Sequence, residues 1–398
     1  MQYNRTMQVS MAGTRKTKHW PKAEILWSEF VDRLSQPARS TETMEAYLAL
    51  PKAKQDELKD VGGFVGGTFV NDIRKAAYVT GRDLLTLDMD QIPAGGTDDI
   101  LKRVSGLGCA AVVYSTRKHT GYAPRLRIVV PLDQTASADE YEPAARKLAS
   151  LIGMEYCDPT TFDVARLMYW PSCCADGEYL CELFDHPFCS LTGLLGMYGD
   201  WTDVSQWPQV PGADAVERRR LAKQEDPTTK RGIIGAFCRT YTISQAMEKF
   251  IPGMYEPTDM DGRYTYTGGS TVGGAVVYDG DLFLYSHHAT DPCSGLLVNA
   301  FDLVRLHRYG EKDQEAKDGT PVNKLPSFVA MSRMAGEDRA VSDLLTREKL
   351  DQARQAFQTP EGEELPEEDL TWASRLTHDG NGKIEKTINN AVVVLQND

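Results

Sequence analysis

Along the first half of the chain the apolar positions switch between two spacings, and each switch marks an element. In "AEILWSEFVDRL" they recur every three or four residues, which predicts a helix. "STETMEAYLAL" continues it with Ser40 as N-cap and Glu42 in the first turn, so residues 20–60 read as helical. "GGFVGG", residues 62–67, is a glycine-rich bend that would let backbone approach a ligand; it lacks the Gly-Lys-Ser/Thr ending of a Walker A loop. "LLTLDMDQI", residues 84–92, then alternates, which puts Leu85, Leu87 and Met89 on one face of a strand and Thr86, Asp88 and Asp90 on the other. A short helix near 97–105 follows, with Thr97 as cap and Asp98 and Asp99 in its first turn.

"CAAVVYST" and "RLRIVVPLD" read as the next strands, and the turn-rich "RKHTGYAP" between them predicts an antiparallel pair. "SADEYEPAARKLASLIG" opens with a capping box, Ser137 with Glu140, and carries Tyr141, Ala144, Leu148 and Leu151 on one face. "CDPTTFDVARLMYWPS" supplies a turn at Asp158-Pro159 and a strand from Arg166 to Trp170. Strand, helix, paired strands, helix, strand is an α+β order, compatible with the split βαβ arrangement of an RRM-like domain.

The texture changes after residue 205. "WPQVPGADAVERRRLAKQEDPTTKRG" is a connector holding a basic helix. A second α+β domain follows: a helix with a Thr242/Gln245 capping box, a strand "RYTYTGG", a hairpin around Asp279-Gly280, and an amphipathic helix "NAFDLVRLHRYG" ended by Gly310. Residues 358–370 are an acidic linker. The expected division is 1–205, 206–345 and a tail of helix, linker and terminal segment over 346–398. No internal repeat is present in the sequence.

Composition narrows the classes. A chain of 398 residues with 41% hydrophobic content suggests two domains with real cores. No apolar run approaches the ~18 residues that span a bilayer. The N-terminus, "MQYNRTMQVSMAGTRKTKHW", lacks the apolar stretch of a secretory signal and reads as a flexible lead-in, so a cytoplasmic protein is expected. Eight cysteines are then thiols, not a disulfide framework. Cys173, Cys174, Cys181 and Cys189, with His186, cluster in sequence, but without a C-x-x-C pair they argue against structural zinc.

A net charge of −13 argues against indiscriminate nucleic-acid coating. Local charge differs: Arg117, Lys118, Arg125 and Arg127 crowd one segment, and Arg218, Arg219, Arg220, Lys223, Lys230 and Arg231 another. The pattern fits a confined anionic ligand and a guided strand.

The chemistry starts at Asp88 and Asp90. Side by side on one face they repel, so something positive should sit between them, and a divalent metal is the usual solution. Joined to the cationic His119/Arg127 hairpin and a third carboxylate, Asp158 or Asp163, they would surround a metal-bound triphosphate. On that reading, removing either aspartate relieves repulsion and leaves stability without metal unharmed. His287 and His288 are adjacent and so face opposite ways in a strand, which disfavours the paired-histidine metal site of a relaxase; burial or contact with a DNA backbone is the milder reading. "HDGNGKIEK" departs from a calcium loop at Ile384 and Asn390 and reads as a turn. Tyr264 and Tyr266 would either stack bases or pack on the "NAFDLVRLHRYG" helix.

The strings "LLTLDMD", "VVYSTRKHTGYAPRLRIVVPL" and "CDPTTFDVARLMYWPS" resemble the three motifs of the archaeo-eukaryotic primase superfamily, in its phage and plasmid PrimPol branch. "GGFVGG", "RGIIGAFCRTYTI", "YEPTDMDGRYTYTGG", "YSHHATDPCSG" and "NAFDLVRLHRYG" resemble the N-terminal half of phage primase-helicases of the virulence-associated E type. The ending "TINNAVVVLQND" is similar to the stretch before the helicase module in fused relatives.

The resemblance implies an RRM-like primase-polymerase palm in a bacterial host, template-directed nucleotidyl transfer with two Mg²⁺ or Mn²⁺ ions, and as partners a single-stranded DNA template or primer, nucleoside triphosphates and a replicative helicase. It implies Asp88, Asp90 and Asp158 as metal-binding residues, with Asp163 competing for the third place. The family's Ser-x-His motif is represented by Ser115 and His119 at a different spacing, which leaves the triphosphate contact among His119, Arg125 and Arg127. Arg166 would reach nucleotide phosphate, or form a salt bridge to Asp163. The basic residues between Arg218 and Arg231 would bind DNA. Competing readings are a metal-dependent nuclease on the same palm and a non-catalytic origin-binding protein.

Overall fold

The structure, a computed structural model, describes residues 1–212, 225–278, 280–317, 319–357, 372, 375–378 and 383–397. The chain divides into two compact units, residues 1–220 with 265–274 and 287–295, and residues 221–264 with 275–286 and 296–398.

In the first unit, strands β1 (Thr6–Ala12) and β2 (Lys22–Leu26) precede helix α1 (Trp27–Ser35), the short β3 (Ala38–Arg39), and helices α2 (Met44–Ala49) and α3 (Lys52–Lys59). Next come β4 (Gly63–Val65), β5 (Gly67–Phe69), β6 (Val79–Met89), α4 (Thr97–Gly106), β7 (Ala111–Ser115), β8 (Leu126–Ala136) and α5 (Ala138–Ile152). β9 (Met168–Tyr169), β10 (Ser172–Cys173), β11 (Cys181–Phe184) and α6 (Leu191–Leu195) complete it. A five-stranded antiparallel sheet runs in the order β11-β7-β8-β6-β5. β6 and β7 are joined through α4 and separated by β8, the split βαβ unit that the element order predicts. The fold is α+β.

Alternation decides the layers. Leu85, Leu87 and Met89 enter one core with Tyr141, Ala144 and Leu148 of α5 and Ile100 and Val104 of α4. Leu84, Val112 and Val129 enter another, against Trp27 and Phe30 of α1 and the second sheet, β2-β1-β4-β9. Helix α5 starts at its predicted capping box, the Ser137 hydroxyl accepting from the Glu140 N–H at 3.3 Å and the Glu140 carboxylate from the Ser137 N–H at 2.9 Å.

The departures from the sequence reading have local causes. The N-terminal segment is a strand, not a lead-in: alternation buries Met7 and Val9 of β1 fully. Residues 22–26 pair with it, so the helix begins only at Trp27. Thr43 caps α2, and Ser40 bonds Glu42 instead. α4 has Gly96, without a side-chain bond, at the predicted Thr97 cap. "GGFVGG" is two buried strands whose glycines admit other backbones: a Cβ on Gly67 would lie 2.1 Å from the Gly81 carbonyl, and one on Gly63 2.5 Å from that of Met168. The strand after Arg166 is only β9, and it pairs with β4.

The second unit contains α7 (Gly232–Thr240), α8 (Ile243–Phe250), β12 (Tyr255–Pro257), the first half of β13 (Arg263–Tyr266), β14 (Ala275–Tyr278), β15 (Phe283–Ser286), β16 (Leu297–Asn299), α9 (Ala300–Tyr309), α10 (Pro326–Glu337), α11 (Arg339–Phe357) and α12 (Ile388–Asn397). Its sheet follows chain order, β12 to β16. The Thr242/Gln245 capping box opens α8, and Gly310 caps α9.

Candidate active site

The site forms where β6 ends. Antiparallel pairing with β8 sets Asp88 directly opposite Arg127, so both side chains leave the sheet on the same face. Asp88 and Arg127 are 7% and 4% exposed, and the guanidinium approaches the carboxylate at 3.3 and 3.5 Å. Burial raises the Asp88 carboxyl, and Arg127, Lys59 and Arg166 more than offset it, so its pKa falls below the ordinary carboxylate value. Burial works against the Arg127 charge and Asp88 outweighs it, so that pKa rises. Just past the end of β6, Asp90 pairs with Arg125 at 2.8 Å, both half-exposed.

The turn after Cys157 brings the third carboxylate alongside. The Asp158 N–H donates to the Asp88 carbonyl at 2.9 Å, and the Asp88 N–H donates to the Thr161 hydroxyl at 2.8 Å. Arg166 joins the two acids, 2.8 Å from Asp158 and 3.9 Å from Asp88. Asp163 is exposed, and one of its oxygens accepts from the Ala165 N–H. Arg166 therefore pairs with Asp158 and Asp88, and Asp158 is the acid beside Asp88.

A pocket with about 490 Å³ of open space lies over Asp88 and Asp90. Its other walls are Tyr47, Lys52, Lys59, Thr116, Arg117, Lys118, Arg125 and Arg127. Tyr47, Lys52 and Lys59, from α2 and α3, are absent from the sequence-derived site. Lys52 and Lys59 are seven apart and share a helix face, but nothing in the sequence says what that face meets. The buried Arg117 guanidinium holds this segment down through Glu42 and Ser40 and lies 4.6 Å from the Tyr47 ring centroid.

Four of the six cations have carboxylate partners: Lys52 with Asp56, Arg117 with Glu42, Arg125 with Asp90, Arg127 with Asp88. Among the described residues Lys59 and Lys118 have none. The Lys59 ammonium lies 4.9 Å from the Tyr169 ring centroid. Burial, with Arg127 nearby, pulls its pKa down to about 8, against the opposing pull of Asp88 and Asp90. The arrangement suits a ligand carrying several anionic oxygens.

Ser115 and His119 do not line this pocket. The Ser115 hydroxyl, fully buried, accepts from the Leu180 N–H at 2.9 Å. The His119 Nδ1 accepts from the Arg125 N–H at 3.1 Å, bracing the hairpin, and burial lowers its pKa. The cationic wall is built by Lys52, Lys59, Arg117, Lys118, Arg125 and Arg127, without His119.

Asp88 and Asp90 offer hard carboxylate oxygens on one pocket wall, the donor chemistry of Mg²⁺ or Mn²⁺. With Asp158 they do not converge to mutual ligand distance among the described residues. The three acids are thus brought to one end of the pocket without forming the metal-ligand group expected of them.

A family model described as the VapE N-terminal domain matches residues 1–210. The chain belongs to this family. All the pocket residues, with Asp158 and Arg166, fall within the stretch that the VapE model matches. The AEP domain (PP-N190) of the cyanophage S-2L primase-polymerase is similar to this VapE-family chain over 48% of its length and 88% of the phage domain, at 13% identity and a TM-score of 0.27. No curated protein matches the chain.

Elsewhere in this VapE-family chain, Cys173, Cys174, Cys181 and Cys189 form no metal-ligand group among the described residues. His288 is fully buried, its Nε2 accepting from the N–H groups of Tyr266 and Gly274 and its Nδ1 bonded to Thr271, while His287 lies 3.9 Å from Glu142. His288 is thus held inside the fold. Tyr264 bonds Ser244 of α8, and both tyrosines are half-buried. Of the basic segment, Lys230 and Arg231 immediately precede α7, while Arg218, Arg219, Arg220 and Lys223 lie outside the described residues, as do the linker 358–370 and most of the "HDGNGK" turn. No described helix is long and apolar enough to cross a membrane.

Proposed function

We propose that this chain is a DNA primase-polymerase, a metal-dependent nucleotidyltransferase whose catalytic domain is the segment 1–205. The observation that carries the reading is the single pocket in which Asp88 and Asp90 face six cationic side chains. Acids alone would suggest a metal store, and cations alone a phosphate site. Together they suit a reaction in which a divalent ion and a polyphosphate share one pocket.

In this reading Asp88 and Asp90 would hold Mg²⁺ or Mn²⁺, with Asp158 completing the acidic end through Arg166. The ion, when bound, would activate a 3′-hydroxyl and stabilise the charge on departing pyrophosphate. Lys59, Lys118, Arg125 and Arg127 would orient the triphosphate by charge-assisted hydrogen bonds. Arg117 would hold α2 and α3 against the hairpin and so set the pocket's width. The partners implied are a DNA template with its primer, nucleoside triphosphates and a replicative helicase.

The test is incorporation of a labelled nucleotide on a primed template with Mg²⁺ or Mn²⁺. Asp90→Asn is the cleanest comparison, because Asp90 is half-exposed and its loss strands no buried charge. Incorporation by the wild type that disappears in this variant supports the reading. Absence of incorporation with either ion overturns it, and strand cleavage instead would identify a nuclease.

A further inference from the structure

The segment once expected to be a lead-in carries a surface of its own. Residues 13–22, "GTRKTKHWPK", contain four Lys or Arg and no acid, and "IRKAAY", 73–78, adds Arg74 and Lys75, in a chain of net charge −13. The two stretches lie side by side. The Arg74 N–H donates to the Lys18 carbonyl at 3.0 Å, the Trp20 N–H to the Asp72 carbonyl at 2.7 Å, and the Lys22 N–H to the Asp72 carboxylate at 3.2 Å. Asn71 and Asp72, with φ of 53° and 56°, are consecutive left-handed residues, a conformation kept only where neighbours enforce it.

This ridge runs into the pocket through Tyr169. Arg15 donates to the Tyr169 hydroxyl at 3.4 Å, Arg127 of the pocket donates to the Tyr169 carbonyl at 3.2 Å, and Lys59 lies over the Tyr169 ring. Arg74 donates to the Ala165 carbonyl at 3.1 Å, beside Arg166. Lys16, Lys22 and Lys75 are exposed along it. Lys75 lies 5.2 Å from the Tyr78 ring centroid, and Tyr78, like Tyr169, is half-buried.

We propose that this ridge binds single-stranded nucleic acid and leads it to the pocket. Exposed lysines neutralise phosphates, and half-buried tyrosines near them offer ring surface on which bases stack. A single strand is favoured over an acidic peptide because, through Tyr169, the ridge meets Arg127 and Lys59 of the pocket proposed to hold a triphosphate. The inference extends the proposed function and rests on it for the strand's destination and for the choice of a nucleic acid over an acidic peptide, which the binding experiment tests directly.

The experiment is fluorescence anisotropy of labelled oligo(dT) with the full chain, at several salt concentrations, for the wild type, Lys16→Ala/Lys22→Ala/Lys75→Ala, and a control, Lys102→Ala, exposed on α4. Single-strand affinity falls with salt at a slope of about −0.7 per phosphate contact, so loss of three contacts should make the slope shallower by about 2 and weaken binding on the order of a hundred-fold at 0.1 M salt. The control should bind as the wild type does. Equal affinity and slope in the triple variant, no oligo(dT) binding by the wild type, or equal competition by polyglutamate would each overturn the proposal. Oligo(dT) binding that depends on the three lysines in a protein that incorporates no nucleotide would leave the ridge standing and sink the primase-polymerase reading alone.

Discussion

Replacing Asp88 by alanine should destabilise the metal-free protein substantially, opposite to what two repelling carboxylates would do. Asp88 faces Arg127 with the guanidinium at 3.3 Å, and the side chains are 9% and 4% exposed. Removing the acid leaves a buried guanidinium with the Tyr169 carbonyl at 3.2 Å and the Tyr169 and Tyr114 rings, centroids 5.7 and 5.9 Å away, but no carboxylate opposite it. Breaking a buried pair from one side costs about 3–5 kcal/mol, whereas replacing both members by apolar residues of similar volume is often neutral. Asp88→Ala should therefore lose about 3–5 kcal/mol, and Asp88→Leu/Arg127→Met should recover most of it. Urea unfolding in EDTA near pH 7.5 measures both. The Asp88 pKa is depressed in the folded protein, so its contribution is present above the unfolded value near 3.9 and lost as pH falls through the lower folded one. The wild-type advantage over Asp88→Asn should shrink in that acid window and nowhere above it. An Asp88→Ala variant within about 0.5 kcal/mol of the wild type, the usual scatter of surface substitutions, would refute the reasoning.

Other outcomes follow from single contacts. Lys59→Ala should weaken binding of inorganic tripolyphosphate measured calorimetrically without metal; in the wild type that binding should decline as pH rises through about 8, where Lys59 sheds its proton, and Lys59→Arg should abolish the decline. Gly67→Ala places a Cβ 2.1 Å from the Gly81 carbonyl, so it should cost at least the 1–3 kcal/mol of ordinary overpacking or prevent soluble expression. Ser137→Ala removes the hydroxyl that caps α5 and should cost about 1 kcal/mol in denaturant unfolding while leaving tripolyphosphate affinity unchanged.

Alternation made the central sheet legible. Leu85, Leu87 and Met89 occupy one core and Asp88 the opposite face, and the α5 capping box stands where Ser137 and Glu140 put it. The partner of Asp88 was not legible, because α4 and β7 lie between β6 and β8 in the chain, so no turn fixes their register, and a shift of one residue would have turned Arg127 to the other face. Local pattern also misled at the N-terminus. The lack of a signal-like apolar run suggested a flexible lead-in, but the period-two burial of Met7 and Val9 sets a strand there. Lys59 lay beyond sequence reasoning for a different reason: its helix face is ordinary, and only the tertiary placement of α3 gives it a role.

The internal pairing of the pocket bears on how a ligand could enter it. With each acid already matched by a guanidinium, Asp88 with Arg127, Asp90 with Arg125 and Asp158 with Arg166, the pocket is nearly balanced apart from Lys59 and Lys118. A triphosphate arriving alone meets guanidinium groups already engaged by carboxylates, and a divalent ion alone meets carboxylates already engaged by guanidinium groups. Arriving together, the two give each half of every pair a new partner of opposite charge, so no desolvated charge is left alone. Under the proposed function, nucleotide and metal should therefore bind with positive coupling, each raising the other's affinity by the same factor. Calorimetric titration of a nonhydrolysable triphosphate with and without Mg²⁺ reads that factor in the wild type and in Arg127→Lys, which keeps the charge but loses the bidentate fork. Free Mg²⁺–triphosphate association must be subtracted. Coupling that vanishes after this correction would mean that the arginines serve the fold alone, with the phosphates held by Lys59 and Lys118.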